Sequence, residues 1–139
     1  MSIFDSKRKQ ENEAMALPEE VEAYATMTSH PFLDAIDNSF VDHAVALGIT
    51  GGLALDIGTG PGQLPIKICK QCPDITFRAI DLSDAMLMAG TADAFREGLE
   101  KRIFFQRADG KTIPFNERYF DHVICNSVLH HLENPISLL

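Results

Sequence analysis

Cysteine is scarce in this sequence: Cys69, Cys72 and Cys125 are all there is in 139 residues. An odd, small count excludes a disulfide framework. Cys69 and Cys72 have the C-x-x-C spacing, but no second such pair and no His pair at zinc-finger spacing accompanies them. The motif also falls late in a helical segment, away from the helix start where thiolates are favoured. It is read as inert, and no metal site is expected. Basic residues are few as well, 12 Lys and Arg against 20 Asp and Glu, for a net charge of −8. A nucleic-acid binder neutralises phosphates with clustered Lys and Arg, and the only basic run is Lys7–Lys9. Nucleic acid is therefore discounted as a sequence-independent partner, and an anionic membrane surface is disfavoured for the same reason. No apolar run reaches the ~18 residues of a membrane span, and the N-terminus is too polar for a secretory signal. A cytoplasmic location is expected. Internal repeats and low-complexity linkers are absent too.

What is present suits one domain. A chain this size buries roughly two-thirds of the surface its unfolded form exposes. Residues 1–15 are polar and highly charged and are read as a flexible lead into a single domain over 16–139. Within it, 16–48 reads as a helical cap and 49–139 as an α/β core. Pro18 followed by Glu19 and Glu20 suits a helix start, running to about Met27. A second helix fits Phe32–Leu47, with Phe32, Ile36 and Phe40 recurring every four residues and Leu33, Val41 and Val45 beside them as an apolar stripe at helical spacing, and Gly48 as its cap. The stripe Phe32–Phe40, like Met86–Met88, is expected to be core.

From Gly52 short apolar runs alternate with helical segments. Strands are expected at Leu53–Ile57, Ile75–Ile80, Ile103–Gln106 and within Asp121–Asn126, the last with Cys125 in the core. Helices are expected over Gly62–Gln71 and from a Ser83 cap to about Leu99, and Pro135 begins another. This alternation predicts an α/β fold with a parallel sheet. Right-handed crossovers give the spatial order 3-2-1-4, with a ligand crevice at the carboxyl ends of the strands where the order reverses.

The strongest signal is LALDIGTGPGQ, Leu53–Gln63. It sets Gly58, Gly60 and Gly62 directly after a buried strand and at the opening of a helix, where backbone N–H donors are free. The dinucleotide fingerprint is G-x-G-x-x-G, but here the third glycine comes one position early and Gln63 takes its place. Asp56, two residues before the first glycine, disfavours a pyrophosphate and favours a cofactor with a positive amino group. A glycine-rich turn with no ligand is the bland alternative. Two further acids weigh against it. Asp81 closes the second strand in AIDLS, where a carboxylate can accept from both ribose hydroxyls. Asp109 follows the third strand in RADG, where it can accept from an exocyclic amine while Gly110 gives room. Each is a common turn residue alone; together they form one rim.

LDIGTGPG, AIDLS, RADG and FDHVICNSVLHHLENP, taken in order, resemble the class I S-adenosylmethionine-dependent methyltransferases, in particular the group acting on small molecules and quinones. The resemblance runs from about Leu17 to the last residue and implies a Rossmann-like fold, S-adenosylmethionine as cofactor, S-adenosylhomocysteine as product and a small-molecule methyl acceptor. It implies that Asp56 and the Ile57–Gly60 backbone, Thr59 included, hold the methionine end. Gly60 and Gly62 would give clearance, Asp81 would bind the ribose with Leu82 against the adenine, and Asp109 and Gly110 would meet the adenine edge. Asn126 would lie near the methionine carboxylate or the methyl group, and Tyr24 would face the pocket. No catalytic residue is named, since the cofactor is already activated and the protein's task is positioning. His130 and His131 point in different directions along their element and are read as structural or pocket-lining.

The pattern departs from the family by stopping at Leu139, before a fifth strand and terminal hairpin. The expectation is a truncated fold whose fourth-strand edge is covered by a second copy of the chain, a homodimer. Two other readings stay open: a cofactor-binding module without transfer activity, and a nicotinamide-binding oxidoreductase, which Gln63 and Asp56 weaken.

Overall fold

The structure, a computed structural model, describes Glu19 and residues 31–112 and 118–125. The elements run α1 (Pro31–Ala46), β1 (Gly51–Ile57), α2 (Gln63–Gln71), β2 (Asp74–Asp81), α3 (Asp84–Arg96), β3 (Ile103–Arg107) and β4 (His122–Cys125). The strands form one sheet in the order β3-β2-β1-β4, every pair parallel. This is the expected order, and each expected element between Phe32 and Asn126 lies within three residues of an observed one. Of the helix expected from Pro18 to about Met27 only Glu19 is described, and it is helical; the Pro135 helix lies outside the described residues.

β1 is the axis of the sheet. Its residues Ala54–Ile57 pair with β2 on one side and β4 on the other, and all four are buried. A strand covered on both faces reads as a near-continuous apolar run, and Leu53–Ile57 does so except at Asp56. The β1–α2–β2–α3–β3 crossovers step in one direction across the sheet, so α2 and α3 share a face. The main core sits there, where Ala54, Ile75, Phe77 and Ala79 of the sheet meet Val41 and Ala44 of α1, Ile68 of α2 and Ala94 of α3. Leu55, Ile57 and Ile80 alternate to the other face and pack with Ala108 and Phe120.

Two apolar groups lie differently from expectation. On α1 the buried residues are Val41 and Ala44, whereas Phe32 is 68% exposed and Ile36 is also exposed. The stripe is buried only toward its C-terminal end, where Phe40 and Val45 also pack against the core. Lys67 of α2 ties the earlier turns by donating to Asp34 Oδ1 and Asn38 Oδ1, both at 2.7 Å. On α3 Met86 is buried while Met88 is 73% exposed, because two residues along a helix turn the side chain by about 200°.

Arg102, just before β3, ties the helix–strand junction together. Its guanidinium donates to the carbonyls of Cys69 (3.0 Å), Cys72 and Ile75 (3.0 Å), and Nε also donates to Ile75 at 3.2 Å. The Cys69 and Cys72 carbonyls lie at the C-terminal end of α2, where a cation is favoured, and Ile75 belongs to β2.

Phe105 is the second tie. Its ring sits where a Cβ on either Gly62 or Gly90 would be, at 2.7 Å and 2.6 Å from ring atoms. A Cβ on Gly90 would also lie 3.0 Å from the carbonyl carbon of Pro61. Helix α3 thus packs directly on the turn between β1 and α2 because Gly90 has no side chain. Gly90→Ala is expected to lower stability by about 1–2 kcal/mol through overpacking, despite its gain in helix propensity. Phe105→Leu should recover part of that loss, since it removes ring atoms from the same space. Denaturant titration of the two single variants and the double variant measures the coupling.

Candidate functional site

The carboxyl ends of β1, β2 and β3 lie along one edge of the sheet, with Asp56 opposite Ala79 and Asp81 opposite Arg107 in the strand register. Between them the chain turns from β1 into α2 through Gly58, Gly60 and Gly62, whose φ angles are 69°, 58° and 77°. Only glycine takes such angles without strain at three positions in five. The turn is stitched to β2: Thr59 N–H donates to Ile80 O at 2.9 Å, and Gly62 N–H returns to Thr59 O at 3.0 Å.

Asp81 completes the stitching. Its Oδ2 accepts from Gly60 N–H and its Oδ1 from Ser83 N–H, each at 2.9 Å. Ser83 in turn caps α3, its hydroxyl accepting from Met86 N–H. A carboxylate has about four acceptor sites, and these two backbone bonds hold Asp81 half-buried at the rim. The glycine turn therefore uses three N–H groups, those of Thr59, Gly60 and Gly62, within the protein itself. Thr59 and Gly60 belong to the backbone expected to hold the ligand, and nothing local in the sequence shows these internal bonds.

Asp56 is the most unusual group. It is only 2% exposed, and burial pushes its carboxyl up to about 7; the nearby Thr59 hydroxyl pulls it down, and the negative charge of Asp81 adds to the rise. Thr59 Oγ1 itself is buried and meets no hydrogen-bond partner among the described residues, so its influence on Asp56 acts without a hydrogen bond of normal geometry. A buried acid beside an unmatched hydroxyl is costly and marks a place where a ligand can supply the missing contacts.

The other site residues fall as follows. Ile57 and Gly58 lie at the end of β1 and the start of the turn; Leu82 is half-buried beside Asp81. Asp109 and Gly110 follow β3 and are half-buried, but Asp109 already makes a local turn. Its Oδ1 accepts from Lys111 N–H at 2.8 Å and its carbonyl from Thr112 N–H at 3.0 Å. Gly62 is close-packed against Phe105 rather than bordering open space. Asn126, Tyr24, His130 and His131 lie outside the described residues. Cys125, expected in the core, is exposed on β4 opposite Ile57. Its thiol is raised by partial burial and then by the charge of Asp56. Cys69 and Cys72 are buried and reduced, and burial pushes Cys69 up to about 11, as suits an inert pair.

A parallel sheet that reverses its order at β1, a glycine turn there and an acid closing the next strand together define a Rossmann-like nucleoside-binding domain. The methyltransferase domain model matches residues 54–138, and the chain belongs to that family. It is 35% identical over 81 residues to the demethylmenaquinone methyltransferase of Porphyromonas gingivalis, covering 58% of this chain and 33% of the relative. It is 28% identical over 102 residues to the release factor glutamine methyltransferase of Gloeobacter violaceus, covering 73% and 35%. The chain spans about a third of the length of these curated relatives. Among solved structures, a protein of Methanococcus maripaludis proposed to be an S-adenosyl-L-methionine-dependent methyltransferase superposes with a TM-score of 0.78 at 25% identity, covering 87% of this chain and 55% of that one. The [4+2]-cyclase SpnF shares the fold, with a TM-score of 0.67 at 23% identity over 76% of this chain and 39% of its own.

The buried acid gives a pH signature. Asp56 keeps its proton in the folded state up to about pH 7 and loses it near pH 4 when unfolded, so the folded protein holds the extra proton between those values. Stability contributed here is present below about pH 4, falls as pH rises through that window and levels off above about 7. Asp56→Asn should flatten this slope, shifting the stability difference in favour of Asn by a few kcal/mol between pH 5 and pH 8. Chemical denaturation at the two pH values measures it.

Proposed function

We propose that this domain binds S-adenosylmethionine at the glycine turn and transfers its methyl group to a small-molecule acceptor. The observation that supports this most is the pairing of a buried acid, Asp56, beside the unmatched Thr59 hydroxyl, with a rim acid, Asp81, on either side of the turn. A cofactor carrying a cationic amino acid at one end and a ribose in the middle fits that pair; a dinucleotide pyrophosphate does not. Asp56 would face the positive methionine end and ionise there, with the Thr59 hydroxyl finding a partner in the same contact. Asp81 would accept from the ribose hydroxyls, Leu82 would lie against the adenine, and Asp109 with Gly110 would border its edge. Asn126 completes this set from the sequence. The bound cofactor supplies a methyl group on a positive sulfur, already activated for in-line displacement by an acceptor atom. The protein's own work is to hold, orient and exclude water, so no covalent nucleophile is required of it.

The helical segment 16–48 is read as the cap of this site, and 49–139 as its core. The demethylmenaquinone and ubiquinone/menaquinone relatives favour a small-molecule acceptor over a nucleic acid, as does the acidic charge balance. No helix among the described residues is long and apolar enough to cross a membrane, and a cytoplasmic enzyme that forms a homo-oligomer is part of the proposal.

Calorimetry tests the binding step directly. S-adenosylmethionine and S-adenosylhomocysteine should both bind, with proton release between about pH 6 and 8 as Asp56 ionises, read from titrations in buffers of different ionisation enthalpy. Asp81→Ala should weaken both by about 30-fold, or ~2 kcal/mol, for loss of charged hydrogen bonds. Absence of binding at millimolar cofactor, or tight binding of NADH instead, overturns the proposal.

A further inference from the structure

Helix α3 carries an apolar stripe that the sheet leaves uncovered. Met86, Leu87, Gly90 and Ala94 are its buried residues, while Met88 and Phe95 stand 73% and 69% exposed. An open groove of about 870 Å³ runs along this side of the helix, lined by Leu87, Met88, Phe95 and Phe105 of β3, with Asp84 toward one end and Arg96 toward the other. Apolar residues scattered singly on a surface need no explanation, but a contiguous apolar strip bounded by charges marks an interaction site.

We propose that the occupant is a second copy of this chain, docked with the two α3 helices antiparallel about a two-fold axis. Its support is the chemical polarity of the strip. One end is acidic and the other basic, so a reversed copy sets Asp84 against the partner's Arg96, and Arg96 against the partner's Asp84. A two-fold interface must be self-complementary in this way. That register also opposes Met88 to the partner's Ala92 and Phe95 to the partner's Ala85, large against small at each step, as interdigitating helices require. Within one copy each charge has an exposed partner. Asp84 meets Arg107 at 3.5 Å and Arg96 closely meets Asp93, all four side chains well exposed, and such surface pairs are worth about 0–1 kcal/mol. They are free to re-pair across an interface. The net charge of −8 repels at long range, and about 0.15 M salt screens that beyond ~8 Å while sparing close pairs. A 13-residue helix spans roughly 20 Å, so the interface is small and the dimer belongs to the weak, concentration-dependent class.

This places self-association at the β3 end of the sheet, not at the β4 edge, and it holds whether or not the cofactor site acts as proposed. Sedimentation velocity on the full chain at 0.15 M salt, over a hundredfold concentration range, provides the test. The wild type should pass from monomer to dimer, Phe95→Glu should shift that transition at least tenfold upward in concentration, and Val123→Lys on β4 should leave it in place. Asp84→Arg and Arg96→Asp should each stay monomeric alone yet associate when mixed, because the reversed pairing then matches acid to base at both ends. Circular dichroism confirms that each variant is folded. A monomer throughout, a dimer lost in Val123→Lys but not in Phe95→Glu, or a mixture that fails to associate overturns the proposal.

Discussion

Asp81 is the residue on which the site depends. One carboxylate holds the glycine turn through Gly60 N–H and the entry to α3 through Ser83 N–H, so the ends of two crossovers are referred to a single group. Charge-assisted bonds of this kind are shorter and stronger than neutral ones. They also point both oxygens in fixed directions before any ligand arrives. A rim acid that is already oriented costs less conformational entropy on binding than one that must be ordered. The same group lies close enough to Asp56 for its charge to reinforce the effect of burial there. The structural role and the proposed binding role of Asp81 are therefore one arrangement.

The glycine turn is held from the other side by packing. Phe105 fills the space beside Gly62 and Gly90, and Pro61 sits against Gly90. The turn is thus fixed by hydrogen bonds to β2 and by an aromatic ring from β3, and helix α3 is the body between them. Three glycines that look alike in the sequence do different work: Gly60 presents its N–H to Asp81, whereas Gly62 gives room to a phenyl ring. Shared family membership with methyltransferases, and a shared fold with a [4+2]-cyclase, fit a scaffold whose chemistry is decided at the rim and in the loops rather than in the sheet.

Much of this was legible in the sequence because it is written locally. Apolar runs closed by an acid mark strand ends; the glycine triplet marks the turn; Ser83 before Asp84 marks a helix start. From these, the strand order 3-2-1-4 and the common edge of Asp56, Asp81 and Asp109 follow. What was not legible is carried by contacts distant in sequence. Nothing near Arg102 announces that it will meet carbonyls about 30 residues earlier, and alternation alone does not say which of Phe104 and Phe105 turns toward Gly90. The turn that Asp109 makes with Lys111 is local, and in the sequence it reads the same as a ligand role. The exposed start of the α1 stripe, Phe32 and Ile36, was not legible because periodicity gives the stripe without saying how far along it a neighbour covers it.

The exposure of Cys125 has a practical consequence. The other two thiols, Cys69 and Cys72, are sequestered, so a thiol-alkylating reagent applied to the native chain has a single thiol within reach. That sulfur lies across the ladder from Ile57 and feels the charge of Asp56. Its rate of alkylation becomes a built-in meter of the carboxyl next door, slowing when that carboxyl turns anionic and recovering when a cation neutralises it. The protein carries its own reporter of occupancy, with no label introduced.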